Sequence, residues 1–153
     1  MKFSTRSRYG LHLLRDIAIH AESGPVSISE IASRHSMSLK YTEKIIRQLR
    51  QGGWLSSTLG ARGGYQLTRQ ASAMPLGEIV RYLEDSPLLL DCQKLRPGCP
   101  RCGVCLTRSL WQEALEAMYA KLDSFTLADL VRDTQLCPVH DPPSTYCCAP
   151  RRQ

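Results

Sequence analysis

The stretch between Ser27 and Gln51 constrains the fold most, because it carries start signals for two helices separated by a short turn. Ser27-Ile-Ser-Glu30 has the form of a capping box, in which the serine hydroxyl accepts from the Glu30 amide while the glutamate reaches back to the cap. We therefore expect a helix to begin there and to run to about Arg34. Ser38 is expected to cap a second helix that reaches Gln51.

The second of these helices separates its residues by chemistry. One face is expected to pack inward and holds Thr42, Ile45, Ile46 and Leu49, whereas the other holds Lys40, Tyr41, Lys44, Arg47 and Gln48. Two helices of this kind, the second presenting polar and basic groups, predict a helix-turn-helix whose second helix enters the major groove of DNA. The candidate DNA-binding residues are Ser38, Lys40, Tyr41, Lys44 and Arg47. A small helical bundle with a charged surface is the alternative interpretation.

A glycine-rich hairpin is expected directly after this helix. Trp54–Thr58 and Tyr65–Thr68 read as two short strands, and the tip between them holds three glycines and one arginine. Such a tip can approach a DNA backbone closely, so Arg62, Gly63 and Gly64 are candidate contacts of a wing with the minor groove or with phosphate. A plain hairpin turn is the alternative. The predicted fold class is mainly α with a small β wing.

The positive charge is concentrated in the same half of the chain. The net charge is +6, from 20 Lys and Arg against 14 Asp and Glu. Residues 1–70 hold eleven bases and four acids, or +7, and the remainder holds nine bases and ten acids, or −1. This asymmetry is typical of a domain that binds a polyanion, although a basic surface without a partner would look the same.

Four of the seven cysteines, Cys92, Cys99, Cys102 and Cys105, stand within fourteen residues. Neither a secretory leader nor a long apolar run is present, so we expect a cytoplasmic protein that is not inserted in a membrane. In a reducing compartment, clustered thiols are expected to be metal ligands or redox sensors rather than structural disulfides. Thiolates bind either iron–sulfur clusters or zinc. Cys99, Cys102 and Cys105 are each separated by two residues, which is the spacing of the first three cluster ligands in bacterial ferredoxins.

Amphipathic spacing predicts three further helices. The first runs from Thr5 to about Ala21, and a short one covers Leu76–Leu83. A long helix from about Leu106 to Phe125 carries a seam in which apolar residues recur at spacings of 4, 3, 4 and 3, namely Trp111, Leu115, Met118, Leu122 and Phe125. A seam of this regularity indicates a dimerisation helix, with packing inside the chain as the alternative.

Several stretches together resemble a known family. Met1–Gly10, Gly24–Ala32, Ser38–Ile45, Gly63–Leu67 and Leu76–Val80 are similar to the winged-helix regulators that include IscR, NsrR and RirA, and the resemblance runs from about residue 1 to 133. It implies a homodimer that binds a palindromic double-stranded operator and carries an iron–sulfur cluster. Cys92, Cys99 and Cys105 match the cluster cysteines of the family, whereas Cys102 is additional.

The fourth ligand departs from the family pattern. Arg108 stands where one branch has a histidine, and arginine has no lone pair to donate to iron. Another branch takes a carboxylate from near the N-terminus of the partner, but residues 4–8 of this chain hold none. Cys102 is therefore the first candidate, followed by a tail cysteine, His140 or an exogenous molecule. The ligand set is compatible with either a [2Fe–2S] or a [4Fe–4S] cluster.

These patterns predict a winged helix-turn-helix domain over residues 1–70, and the cysteine loop with dimerisation helices over 71–133. An extended or disordered tail rich in Cys and Pro follows over 134–153. The predicted function is a DNA-binding transcription regulator, acting as a repressor or an activator, whose operator binding responds to metal or redox state through the cluster. A zinc-stabilised interaction module and a cluster-free thiol switch are the alternatives. No arrangement of nucleophile and base indicates an enzyme.

Overall fold

The computed structural model describes residues 3–60, 63–84 and 105–132. In chain order the elements are α1 (Thr5–Ile19), a 3-10 turn (Ala21–Ser23), α2 (Ile28–Arg34), α3 (Leu39–Gln51), β1 (Leu55–Thr58), β2 (Gly64–Leu67), a second 3-10 turn (Ala71–Ala73), α4 (Leu76–Leu83), α5 (Leu106–Asp123) and α6 (Leu127–Arg132). The expected class, mainly α with a small β wing, is confirmed. Within the described ranges no helix is long and apolar enough to cross a membrane.

Serine residues are the N-caps of the first three α-helices. The Ser4 hydroxyl accepts from the Ser7 amide at 3.2 Å. The expected capping box is present, because the Ser27 hydroxyl accepts from the Glu30 amide at 3.3 Å and the Ser27 amide donates back to the Glu30 carboxylate at 3.4 Å. Ser38 caps α3 as expected. These local hydrogen bonds satisfy amides at the helix starts that have no partner within the helix.

The wing is a two-stranded antiparallel sheet in which Leu55 pairs with Leu67 and Thr58 pairs with Gly64. Trp54 was expected in the first strand, but it precedes β1 and is buried in the core. Val26, just before α2, adds a bridge to Tyr65: their backbone N–H groups donate to each other's carbonyls at 2.9 and 2.8 Å. The helix-turn-helix is thus joined to the wing by backbone hydrogen bonds.

One hydrophobic core runs through the described part of the chain. The expected inner face of α3 is confirmed, because its buried residues are Thr42, Ile45, Ile46 and Leu49. The core also contains Leu13, Leu14 and Ile17 of α1, Ile79 and Leu83 of α4, and Leu127 of α6. Residues on both sides of position 70 therefore share one core, and α1 is packed against α3, α4 and α6.

Helix α5 differs from the others because little of it is buried. Tyr119 is its one buried residue, whereas Leu110 is 60% and Trp111 is 46% exposed. The helix ends at Asp123, two residues earlier than expected, so Phe125 lies beyond the seam. The Phe125 carbonyl instead accepts from the Leu76 amide at 2.9 Å, which fixes the connection between α5 and α6 against the start of α4.

Candidate nucleic-acid interface and cysteine site

The outward face of α3 is basic. Lys40, Lys44 and Arg47 are exposed on the side opposite the buried residues, and Ser38 is exposed at the start of the helix. Within the described residues none of these three bases forms an ion pair, so their charge faces solvent. The first turn of the helix holds no acidic residue. This surface can bind a polyanion through phosphate contacts, and its helix can present side chains to a groove.

Tyr41 differs from its basic neighbours, because it is half-buried and packs against the core. Its ring meets the edge of the Tyr9 ring at a centroid distance of 6.0 Å and an angle of 90°. The side chain therefore holds the first turn of α3 against α1. Replacing Tyr41 by Ala would remove this packing together with any contact that the residue makes to DNA.

The glycines of the wing allow close packing of the backbone. The Gly63 amide donates to the Gly60 carbonyl at 2.9 Å, and Gly60 has a φ of +118°. A Cβ on Gly64 would lie 2.5 Å from the carbonyl oxygen of Val26, which belongs to the backbone and cannot move aside. Gly63 and Gly64 are thus required by the wing itself. Arg62 lies outside the described residues.

An open cavity of about 330 Å³ lies between α2, α3 and β2, and its lining includes Glu43, Arg47 and Arg50. The Arg50 guanidinium reaches the Ser57 hydroxyl at 3.4 Å and so connects α3 with β1. Sequence reasoning did not single out Glu43 or Arg50. Their spacings of four and three from Arg47 place all three on adjacent turns, and this spacing is the signal that could have identified them.

A partly buried ion pair holds α1 to α2 beneath the helix-turn-helix. The guanidinium of Arg34 donates three hydrogen bonds to the Asp16 carboxylate, at 2.7 to 3.1 Å. His35 approaches the same carboxylate at 3.8 Å. Burial lowers the pKa of His35, Asp16 opposes this effect, and Arg34 and Arg15 add to it. The sequence did not reveal Asp16 as the centre of this cluster.

Cys105 is the one candidate ligand within the described ranges, because Cys92, Cys99 and Cys102 lie outside them, as do the tail cysteines and His140. It occupies the N-cap position of α5. The pKa of its thiol is lowered, first by the Thr107 hydroxyl at 3.2 Å and next by the backbone N–H of Arg108. A thiolate favoured at a helix start is suited to metal ligation and to redox chemistry. Within the described part of the chain no three Cys, His, Asp or Glu side chains group as a metal site.

Comparison with known proteins identifies the family. The model of the Rrf2 family, described as iron-dependent transcriptional regulators, matches residues 3–133. The chain belongs to the Rrf2 family. It is 54% identical over 138 residues to protein rrf2 of Nitratidesulfovibrio vulgaris, covering 90% of this chain and 92% of that protein. The resemblance found in the sequence is thereby confirmed.

Solved structures support the same conclusion for this Rrf2-family chain. It is similar to IscR of T. potens, with a TM-score of 0.71 and 36% identity over 88% of each chain. It is also similar to CymR of B. subtilis, the global cysteine regulator, with a TM-score of 0.69 and 34% identity over 86% of this chain and 97% of that one. The protein is a DNA-binding transcription regulator of winged-helix type and not an enzyme.

Proposed function

We propose that this regulator is a homodimer whose binding to a palindromic operator is controlled by an iron–sulfur cluster on the loop from Cys92 to Cys105. The observation that carries the proposal is the position of Cys105. Its thiol, with a lowered pKa, begins the helix that follows the loop, and this helix packs against α4, which precedes the loop. A ligand bound by the loop would therefore act on both of the helices that flank it.

The donor chemistry fits such a cluster. We assign Cys92, Cys99 and Cys105 as ligands and Cys102 as the fourth, because thiolates are the usual ligands of [2Fe–2S] and [4Fe–4S] centres. A bound cluster would supply reversible one-electron chemistry and sensitivity to iron supply. The contribution of the protein is to lower the pKa of the Cys105 thiol, through hydrogen bonds from the Thr107 hydroxyl and the Arg108 amide.

Exposure of α5 supports the homodimer. A helix that leaves Leu110 60% exposed and Trp111 46% exposed has an apolar surface that a second copy would cover. In such a dimer the two α3 helices would read half-sites about 34 Å apart. A change in how the two chains are spaced would alter operator affinity about 5- to 150-fold if the coupling has the usual magnitude. We infer a cytoplasmic location, because operator DNA is the proposed partner.

The test begins with anaerobic purification. We expect brown protein that contains iron and acid-labile sulfide, and we expect Cys105→Ser to lose both. Cys147→Ser is the matched control, because it removes a tail thiol and keeps the cluster if Cys102 is the fourth ligand as assigned. Operator affinity is then measured at fixed salt for loaded and cluster-free protein. Equal affinities would contradict cluster control, and colourless protein with stoichiometric zinc would favour the zinc-stabilised module.

A cluster-free thiol switch is the second candidate. The observation that favours it is that Cys105 is a free, partly exposed thiol of lowered pKa, in a chain similar to a cysteine regulator. Reactive thiols of this kind exchange reversibly with disulfides. In this case, iron-free protein should change its operator affinity when oxidised by a small disulfide such as oxidised glutathione, and dithiothreitol should reverse the change. No response in iron-free protein would exclude this candidate.

A further inference from the structure

Glu84 joins the end of α4 to the start of α1. It follows the last residue of α4, and its side-chain oxygen Oε1 accepts from the Ser4 amide at 2.8 Å and from the Ser7 hydroxyl at 2.5 Å. Ser7 is 1% exposed, so the second of these contacts lies inside the protein. Ser4 is the N-cap of α1. The carboxylate thus occupies the N-terminal end of a helix that is 80 residues away in sequence.

The negative charge of Glu84 is stabilised by the N-terminal end of α1 and disfavoured by the C-terminal end of α4, which it follows. The C-terminal end of a helix carries partial negative charge and disfavours a carboxylate, whereas the N-terminal end favours one. Within the described residues Glu84 forms no ion pair, and the start of α1 is what compensates its charge. Glu84 also raises the pKa of the buried Tyr119 hydroxyl on α5, after the larger effect of burial. One carboxylate therefore connects the end of α4 to the start of α1.

Glu84 lies close in sequence to the cysteine loop and is connected through α1 to the recognition helix α3. It precedes Cys92 by eight positions. In the other direction, Ser7 is two residues from Tyr9, whose ring packs against Tyr41 in the first turn of α3. Contacts and the first turns of α1 therefore connect Glu84, the last described residue before the cysteine loop, to the first turn of the recognition helix.

We propose that Glu84 is the positioning residue through which the state of the cysteine loop is transmitted to the recognition helix. The proposal rests on the proposed function for its signal, the loading of the loop. A shift of the loop displaces the end of α4, the hydrogen bonds of Glu84 to Ser4 and Ser7 are altered, and the start of α1 moves with Tyr9. The position of Tyr41, and with it the first turn of α3, then depends on the loop.

The experiment compares Glu84→Gln with wild type. Glutamine keeps the size and one acceptor oxygen but removes the charge. Glu78→Gln is the matched control, because Glu78 lies on α4 but is exposed, and among the described residues its ion-pair partner is Arg69 at 3.1 Å. Operator Kd is measured for loaded and cluster-free protein at fixed salt. We expect the ratio of the two values, about 5- to 150-fold in wild type, to fall below about twofold in Glu84→Gln and to persist in Glu78→Gln.

A purely structural role of Glu84 would weaken both states alike and leave this ratio unchanged, which would overturn the proposal. If Glu84→Gln does not fold, Ser7→Ala takes its place, because it removes the 2.5 Å contact and retains the charge. The same reduction of the ratio is expected.

A second readout separates this proposal from the proposed function. Amide hydrogen exchange of residues 4–9 is measured before and after the thiols of the full chain are alkylated with iodoacetamide, which needs no cluster. We expect exchange to change in wild type and not in Glu84→Gln. If operator affinity proves independent of the cluster while this difference is found, the proposed function fails and the role of Glu84 stands. Equal exchange in the two proteins would overturn the role of Glu84.

Discussion

The ion pair between Asp16 and Arg34 predicts an asymmetric loss of stability when either partner is removed. Asp16→Asn keeps the shape of the side chain but removes its charge, whereas Arg34→Met keeps the aliphatic stem and removes the guanidinium. The carboxylate side chain is 10% exposed and the guanidinium side chain is 34% exposed. The two variants therefore leave different groups without a partner, one buried and one that water can reach.

The size of each loss follows from these exposures. Arg34→Met leaves a buried carboxylate whose nearest side-chain nitrogens would belong to His20, at 3.4 Å, and His35, at 3.8 Å. Breaking a buried pair in this way costs about 3–5 kcal/mol. Asp16→Asn leaves a guanidinium that is hydrated in part, and the cost is that of hydrogen bonds to a charged group, about 1.5–3 kcal/mol. We expect Arg34→Met to be the more destabilising variant by about 1 kcal/mol or more.

Urea unfolding at a fixed protein concentration measures both losses, and the double variant completes the cycle. The concentration must be held constant because the stability of a dimer depends on it. We expect a coupling energy of about 1.5–3 kcal/mol, within the range of contacting residues. If both single variants lose less than about 0.5 kcal/mol, the pair is worth no more than a surface ion pair and the reasoning is refuted.

Three further predictions concern the wing, the recognition helix and pH. Gly64→Ala should destabilise the protein by about 1–3 kcal/mol in thermal unfolding, because its Cβ would lie 2.5 Å from the Val26 carbonyl oxygen; an unchanged melting temperature would contradict this. Lys44→Ala should reduce the slope of log affinity against log salt by about 1, as expected for one lost phosphate contact, whereas Glu78→Ala should leave the slope unchanged. Burial lowers the pKa of His35, so the unfolded chain binds the proton more readily and stability falls as the pH drops below about 6.5; His35→Gln should lose less stability between pH 7 and pH 5, measured by urea unfolding.

The sequence predicted the helix-turn-helix well because its signals are local. The capping box at Ser27 and the cap at Ser38 each depend on residues three positions apart, and both form as expected. The inner face of α3 was also predicted correctly, since a helical period of 3.6 residues needs no knowledge of what covers the face. The helical period does not determine the role of each single residue. Tyr41 was expected on the outward face of α3 together with Lys44, but its ring packs against Tyr9 of α1.

What the sequence did not reveal depends on distant pairs. Glu84 meets Ser7 across 77 positions, and Arg34 meets Asp16 across 18. Neither pair could be predicted from residues close in sequence, because each residue by itself looks like an ordinary polar residue of an amphipathic helix. The end of α5 was misjudged for the same reason: Phe125 fits the apolar period, but its backbone is held by the Leu76 amide instead of continuing the helix.

Helix α4 packs too closely against α1 and α5 to move independently of them. A Cβ on Gly77 would meet the side chain of Asp123 on α5, and one on Gly10 of α1 would meet the side chain of Leu83 on α4. Contacts this close exist only because both positions are glycine. The predicted boundary at residue 70 stays a prediction, but the shared core spans it. The proposed signal from the cysteine loop would therefore not require one domain to rotate against another. Because α4 packs against α1 in the same core, a small displacement of α4 would directly change its contacts with α1. Packed cores in general shift between discrete arrangements rather than deforming continuously, and a switch requires this property.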